Sequence, residues 1–98
     1  MGIPKIKAEA LKVRAEIMLA QGETEYAGRL AARSVGIANR NGMRLRKLSA
    51  LLVYGRVLSA RGQGNLAHDI YEDAAREANK LGYYLKANRA GSLLRDIV

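Results

Sequence analysis

Cysteine, tryptophan and phenylalanine are absent from these 98 residues, and proline and histidine occur once each. Without cysteine there are no disulfides and no thiolate metal sites. Aromatic bulk comes from five tyrosines alone, so alanine and leucine carry most of the apolar volume. That mix suits helices packed through small residues better than a β-sandwich. No run approaches the roughly 20 apolar residues of a membrane span. A secretory leader is not visible either: Lys5, Lys7, Glu9, Lys12 and Arg14 interrupt the first apolar stretch. Met1-Gly2 does not open a myristoylation signal, because position 6 is isoleucine. The expectation is a cytoplasmic chain with no membrane attachment.

Acids are scarce in the middle of the chain. Between Tyr26 and His68 lie eight cations (Arg29, Arg33, Arg40, Arg44, Arg46, Lys47, Arg56, Arg61) and no carboxylate. The acids gather at Glu23 and Glu25 and again at Asp69, Glu72, Asp73 and Glu77, within a net charge of +8. An apolar content of 49% is that of a folded chain, and the length allows one domain.

The chain repeats itself at a shift of 40 residues. Ala10-Leu11 falls on Ala50-Leu51, Val13 on Val53, Ala20 on Ala60, Gly22 on Gly62 and Ala27 on Ala67. Ala38-Asn39 falls on Ala78-Asn79, Gly42 on Gly82 and Leu45 on Leu85. Each unit holds two helical patterns. The first runs from about Lys5 to Gln21, with Ile6, Ala10, Val13, Ile17 and Ala20 on one apolar stripe, and Pro4 suits its first turn. Gly22 stops it. The second runs from about Glu23 to Asn41, with acids at its positive end and Arg40 at its negative end. The layout recurs from about Met43 to Arg61 and from about Leu66 to Leu81, and Gly82 ends it.

The stretch LSARGQGNLA, residues 58–67, poses the choice between a phosphate loop and a turn. A phosphate loop follows a strand and carries Lys-Ser/Thr after its glycines. Here a helical pattern precedes and Asn-Leu follows, while Gly62 aligns with the helix stop Gly22. The stretch reads as a turn, with Asn65 expected to cap the next helix. A fifth helical pattern, Tyr83 to Val98, has one broad apolar face and one polar face, as suits the end of a stack.

Small residues recur at matched intervals. From Ala15, the residues 7, 12 and 19 positions on are Gly22, Ala27 and Ser34; from Gly55 they are Gly62, Ala67 and Ala74. Helices approach closely where side chains are small, and large ones fill the grooves between. In this the chain resembles the tetratricopeptide repeat family, over essentially its whole length. It departs from that pattern in three ways. The period is 40 and not 34, asparagines (Asn39, Asn79) replace the usual proline, and the usual aromatic is Tyr71 in one unit but Ala31 in the other. It looks like the longer-period variety found in bacterial regulators and kinesin light chains.

The resemblance implies an all-α, right-handed α-α superhelix: a solenoid of two hairpins, about 4–42 and 43–82, plus a closing helix 83–98, five helices in one domain. It also implies a protein or peptide partner along the first helices of the hairpins, at Glu9, Lys12, Glu16, Ser49, Leu52, Arg56, and Arg89 or Ser92. Lys12, Arg56 and Arg89 could hold a carboxylate there, and the contact would be salt-sensitive. Two hairpins are close to the smallest stable stack, so the chain is expected to belong to a longer protein or assembly, or to associate with itself. Val98 falls where the equivalent helix reaches Leu58, short of its glycine, which fits a truncated third unit.

A second candidate surface is basic. Arg29, Arg33 and Arg40 share a face of the second helix, and Arg44, Arg46 and Lys47 extend the charge into the next turn. Such a patch reads as a solvated outer face, as a seat for an acidic protein, or as a nucleic-acid contact. No aromatic interleaves Arg29–Lys47, as single-stranded nucleic acid would favour. A small basic nucleic-acid-binding protein is thus the alternative to an interaction scaffold.

Catalytic chemistry finds little material. His68 and Glu72, one helical turn apart, give two ligands where a metal site needs three or four. Asp69 and Asp73 lack an accompanying base, nucleophile or oxyanion donor, and read as solvated or paired with Arg76. The chain reads as a non-enzyme with no cofactor. Tyr26, Tyr54 and Tyr71 fall on packed stripes.

Overall fold

Helix ends set the layout. The computed structural model of the chain describes residues 2–82. It contains α1 (Gly2–Ala20), α2 (Thr24–Arg40), α3 (Arg44–Ala60) and α4 (Gly64–Leu81), with no strand among the described residues. The all-α expectation holds. The fifth helical pattern, with Arg89 and Ser92, lies outside the described residues.

Each helix stops at a glycine with positive φ: Gly22 (81°), Gly42 (65°), Gly62 (77°) and Gly82 (74°). At the first stop the Gly22 N–H donates to the Leu19 carbonyl (3.0 Å) and the Glu23 N–H to that of Met18 (2.9 Å). The same pair of bonds recurs at Gly42 and Gly62. This is the Schellman closure, which satisfies the last carbonyls and requires a left-handed residue that only glycine adopts without cost. The stops fall every 20 residues, a regularity finer than the 40-residue shift. Three-residue turns follow, short enough to fold each helix back on its predecessor.

The N-termini depart from expectation. Asn65 does not cap α4: that helix begins at Gly64, Gln63 holds the cap position, and no side chain caps it. Glu23 and Met43 likewise precede α2 and α3 with no side-chain cap bond. Tight glycine closures leave a single residue between turn and helix, so the cap falls wherever the spacing puts it. Backbone carbonyls of Glu23, Met43 and Gln63 accept the first helical bonds, from Ala27, Lys47 and Ala67.

Packing follows the small residues. Ala15, Ala27, Ser34, Gly55, Ala67 and Ala74 are all buried. Ser34 donates its hydroxyl to the Ala8 carbonyl at 2.7 Å, tying α2 to α1 in the interior. Ala15 and Ala31 share one core cluster with Leu30 and Val53. In the second hairpin the matching pair is Gly55 and Tyr71, a smaller residue opposite a much larger one. A Cβ added at Gly55 would lie 2.4 Å from the Tyr71 ring. Tyr71 is the largest fully buried side chain described, set among Leu48, Leu51, Leu52 and Leu58. Tyr54, half-buried, packs on both clusters and joins them. Each buried leucine contributes about 1.5–3 kcal/mol over its exposed state.

Consecutive helices pack along their length, and α1 also touches α3. The helices fall into two kinds. α2 and α4 bury one face and are polar on the other. α3 is buried on both: Val53 and Val57 lie towards the first hairpin, Leu48, Leu51 and Leu58 towards α4. α1 has two apolar faces as well, but it buries the less obvious one, Ala8 and Ala15, with Leu11 and Met18 packed beside the core. The stripe conspicuous in the sequence points outward, with Ile6 68% exposed, Val13 43% and Ile17 48%. Residues at helical spacing define a face; they do not say which of two faces meets the core. No helix among the described residues is long and apolar enough to cross a membrane.

The Gly55–Tyr71 contact makes a clear prediction. Gly55→Ala should destabilise the fold by about 1–3 kcal/mol, the cost of overpacking. In a Tyr71→Ala background the same change should be close to neutral, because Ala31 and Ala15 already coexist in the matching place. A double-mutant cycle by urea denaturation measures the coupling; additive effects would contradict the contact.

Candidate interaction surfaces

Three surfaces gather the polar and apolar groups singled out in the sequence. The first is the face shared by α1 and α3. Glu9 accepts from Arg46 Nη1 at 2.8 Å on one oxygen and meets Lys12 Nζ at 3.0 Å on the other. Glu16 meets Arg56 at 3.6 Å. Two ion pairs thus cross between helices that touch only lightly. Lys5, Arg44, Arg46 and Ser49 line a cleft of about 420 Å³ that continues this face. Lys5, Lys12, Arg46 and Arg56 outnumber Glu9 and Glu16, so the face is net positive after its internal pairs form.

Of the positions expected along this groove, Glu9, Lys12, Glu16, Ser49 and Arg56 are half-buried and come together here. Leu52 does not: it is only 4% exposed and belongs to the core with Tyr71. The reason is its place on α3, where residues 50–53 are buried in succession between the first hairpin and α4. Lys5 and Arg46 are additions to the groove. Arg46 had been grouped with the basic patch, since spacing along one helix cannot reveal a carboxylate 37 residues earlier.

The Lys12 ammonium, hydrogen-bonded to Glu9, holds that carboxyl below the ordinary glutamate range; partial burial pulls the other way, and the Arg46 guanidinium adds to the lowering.

The second surface is the basic stretch, which the fold divides. Arg33 and Arg40 share a cleft of about 570 Å³ with Lys7 of α1. Arg44 and Lys47 share another, about 300 Å³, with Lys80 and Glu77 of α4. Arg46 is turned to Glu9. Arg29 lies 3.7 Å from Glu25 and over the Tyr26 ring, which Arg14 also faces, at 5.8 and 5.6 Å from its centroid. Arg33 and Arg40 therefore lie in a cleft apart from that of Arg44 and Lys47, Arg44 also borders the Arg46 cleft, and Arg29 pairs elsewhere, so the six cations do not form one strip. Tyr26 is half-buried and carries a cation–π role that the sequence did not suggest.

The third surface is the outward stripe of α1. Ile6, Ala10, Val13 and Ile17 floor a groove of about 820 Å³, with Lys5, Arg14, Glu9 and Arg46 at its margins.

On α4, His68 Nε2 lies 3.0 Å from Glu72, and its other ring nitrogen is buried without a hydrogen-bond partner. Arg76 pairs with both Glu72 and Asp73. Among the described residues no three His, Cys, Asp or Glu side chains converge as a metal site would require.

Comparison with known proteins returns no match to this chain: no family model, no curated protein and no solved structure. Function must therefore be argued from these surfaces.

Glu9 provides a pH test. A carboxylate whose folded pKa is depressed contributes fully above its unfolded value, and the contribution is lost as pH falls through the folded value. Glu9→Gln should be less stable than the parent at neutral pH, by at most about 1 kcal/mol because the pair is part-exposed. The difference should fade as pH drops below the ordinary glutamate value, about 4.3. Denaturation at a series of pH values measures it. A gap that persists undiminished in acid would show that Glu9 acts through packing and not through charge.

Proposed function

We propose that the protein is an interaction module: helical hairpins of the tetratricopeptide kind, stacked as a right-handed superhelix, that hold an acidic peptide or protein segment on the α1–α3 face. What supports this is the charge balance there. Lys5 of α1 and Arg44 and Arg46 of α3 line one cleft, Lys12 and Arg56 pair with the two carboxylates beside it on the same face, and Glu9 is already shared between Lys12 and Arg46. An incoming carboxylate can take Arg56 from Glu16, whose 3.6 Å contact is long for a charge-assisted bond. Ser49 stands beside the cations in the same cleft. The geometry suits a scaffold or adaptor whose affinity falls with salt.

Nucleic-acid binding is the competing reading. It would use Arg29, Arg33, Arg40, Arg44, Arg46 and Lys47 together, and their division among separate clefts favours the peptide reading over it.

A direct comparison distinguishes the two. A fluorescent glutamate-rich peptide and a single-stranded DNA of similar charge are titrated against the protein at low salt. Arg56→Glu should weaken the peptide at least about tenfold, while the Arg33→Glu/Arg40→Glu double variant leaves it nearly unchanged. Tighter binding of the DNA, lost in the Arg33/Arg40 variant, would overturn the proposal in favour of nucleic acid. No binding of either would overturn both.

A further inference from the structure

We propose that the cleft between α1 and α2 holds a phosphate monoester on Lys7, Arg33 and Arg40. This inference stands apart from the acidic-segment reading, which uses the α1–α3 face, and does not rest on it.

The internal repeat supplies the comparison. Each hairpin has a cleft between its two helices, and matching positions line the two clefts. In the second hairpin these are Lys47, Asp73, Arg76, Glu77 and Lys80. At the 40-residue shift their counterparts are Lys7, Arg33, Gly36, Ile37 and Arg40, all of which line the first cleft. The second cleft carries its own counter-charge: Asp73 and Glu77 stand among three cations, and Arg76 pairs with Asp73. In the first, Arg33 stands for Asp73 and Ile37 for Glu77, so three cations line it and no carboxylate does. Among the described residues none of these three cations forms an ion pair. Like charges gathered in one cleft repel, and an anion seated among them removes that cost.

Space opens at the same place. Gly36 occupies the position of Arg76, whose side chain is engaged by Glu72 and Asp73. A Cβ on Gly36 would lie 3.4 Å from Arg40 Nη1, so that guanidinium rests over bare backbone. The first cleft measures about 570 Å³ and the second about 310 Å³. Ile3, Pro4 and Ile37 give the first an apolar wall beside its cations.

The donor set selects the anion. A guanidinium is a planar fork that donates to two phosphate oxygens at once, and Lys7 adds a point charge. Three cations exceed what one carboxylate or one phosphodiester balances. A monoester brings a charge of about −1.5 to −2 and three acceptor oxygens. A small phosphorylated compound and a phosphorylated side chain share this group.

Amide shifts in two-dimensional NMR spectra of the full chain, at low salt and neutral pH, test the assignment. The probes are phenyl phosphate, a glycine-flanked phosphoserine peptide and dimethyl phosphate. Saturable shifts at residues 3–7 and 32–41 are expected with the monoesters, and the tighter of the two identifies the source. Arg33→Asp combined with Gly36→Arg copies the self-paired set of the second hairpin. It should weaken binding by at least about tenfold, with helicity and melting retained because Arg33 is exposed and Gly36 half-buried. Arg44→Gln combined with Lys47→Gln removes charge from another cleft and should leave binding unchanged. Equal losses in the two double variants would show a response to net charge alone and overturn the inference. So would full binding in the Arg33/Gly36 variant, or no shift with either monoester. Dimethyl phosphate binding as tightly as phenyl phosphate would assign the cleft to a nucleic-acid backbone instead and overturn it too.

Discussion

Two helices of a hairpin can approach only as closely as their facing side chains allow, and this chain meets that limit with glycine, alanine and serine at fixed intervals. Ala15 and Ala31 belong to one core cluster in the first hairpin. In the second, Gly55 gives up its side chain so that the Tyr71 ring can lie on its backbone. Ser34 closes on Ala8 with a hydrogen bond, whereas the corresponding Ala74 and Leu48 are both part of an apolar cluster. Close approach also explains the stops. A helix that must reverse within three residues needs a left-handed closing position, and glycine occupies it each time.

From that contact plane follows the division of the helices into two kinds. α2 and α4 need one apolar face and spend the other on charge. α1 and α3 need two, so their charges are confined to narrow edges, and those edges meet. Glu9 finds Arg46 and Glu16 finds Arg56 because α1 and α3 meet at those edges. The proposed binding face is this edge. The apolar stripe of α1 lies beside it, and its counterpart on α3 is covered by α2.

Much of this was legible in the residues. Glycine spacing marked the stops, and the matched small positions Ala15, Ala27, Ser34, Gly55, Ala67 and Ala74 are all buried, because both depend on local backbone freedom and on size, which a sequence states directly. Helix starts were less legible: Asn65 looked like a cap, yet the tight closure at Gly62 put Gln63 in that place. The apolar stripe of α1 was visible in its spacing, but a helix with two apolar faces offers no internal sign of which one is buried. Leu52 was placed in a groove because the family pattern puts that position there, but α3 is enclosed on both sides. Arg46 was read with its neighbours along the chain, although its partner is Glu9. Pairings across helices depend on which edges the fold brings together, and that information is not local.

The decisive measurement concerns the Tyr71 ring and the Gly55 backbone. In a proton NMR spectrum of the folded chain, the Gly55 α-protons should be strongly shifted by the ring current and show direct cross-relaxation to the Tyr71 ring protons. Gly55 α-protons at ordinary positions, with no cross-peak to that ring, would contradict the close helical contact from which the rest of the architecture follows.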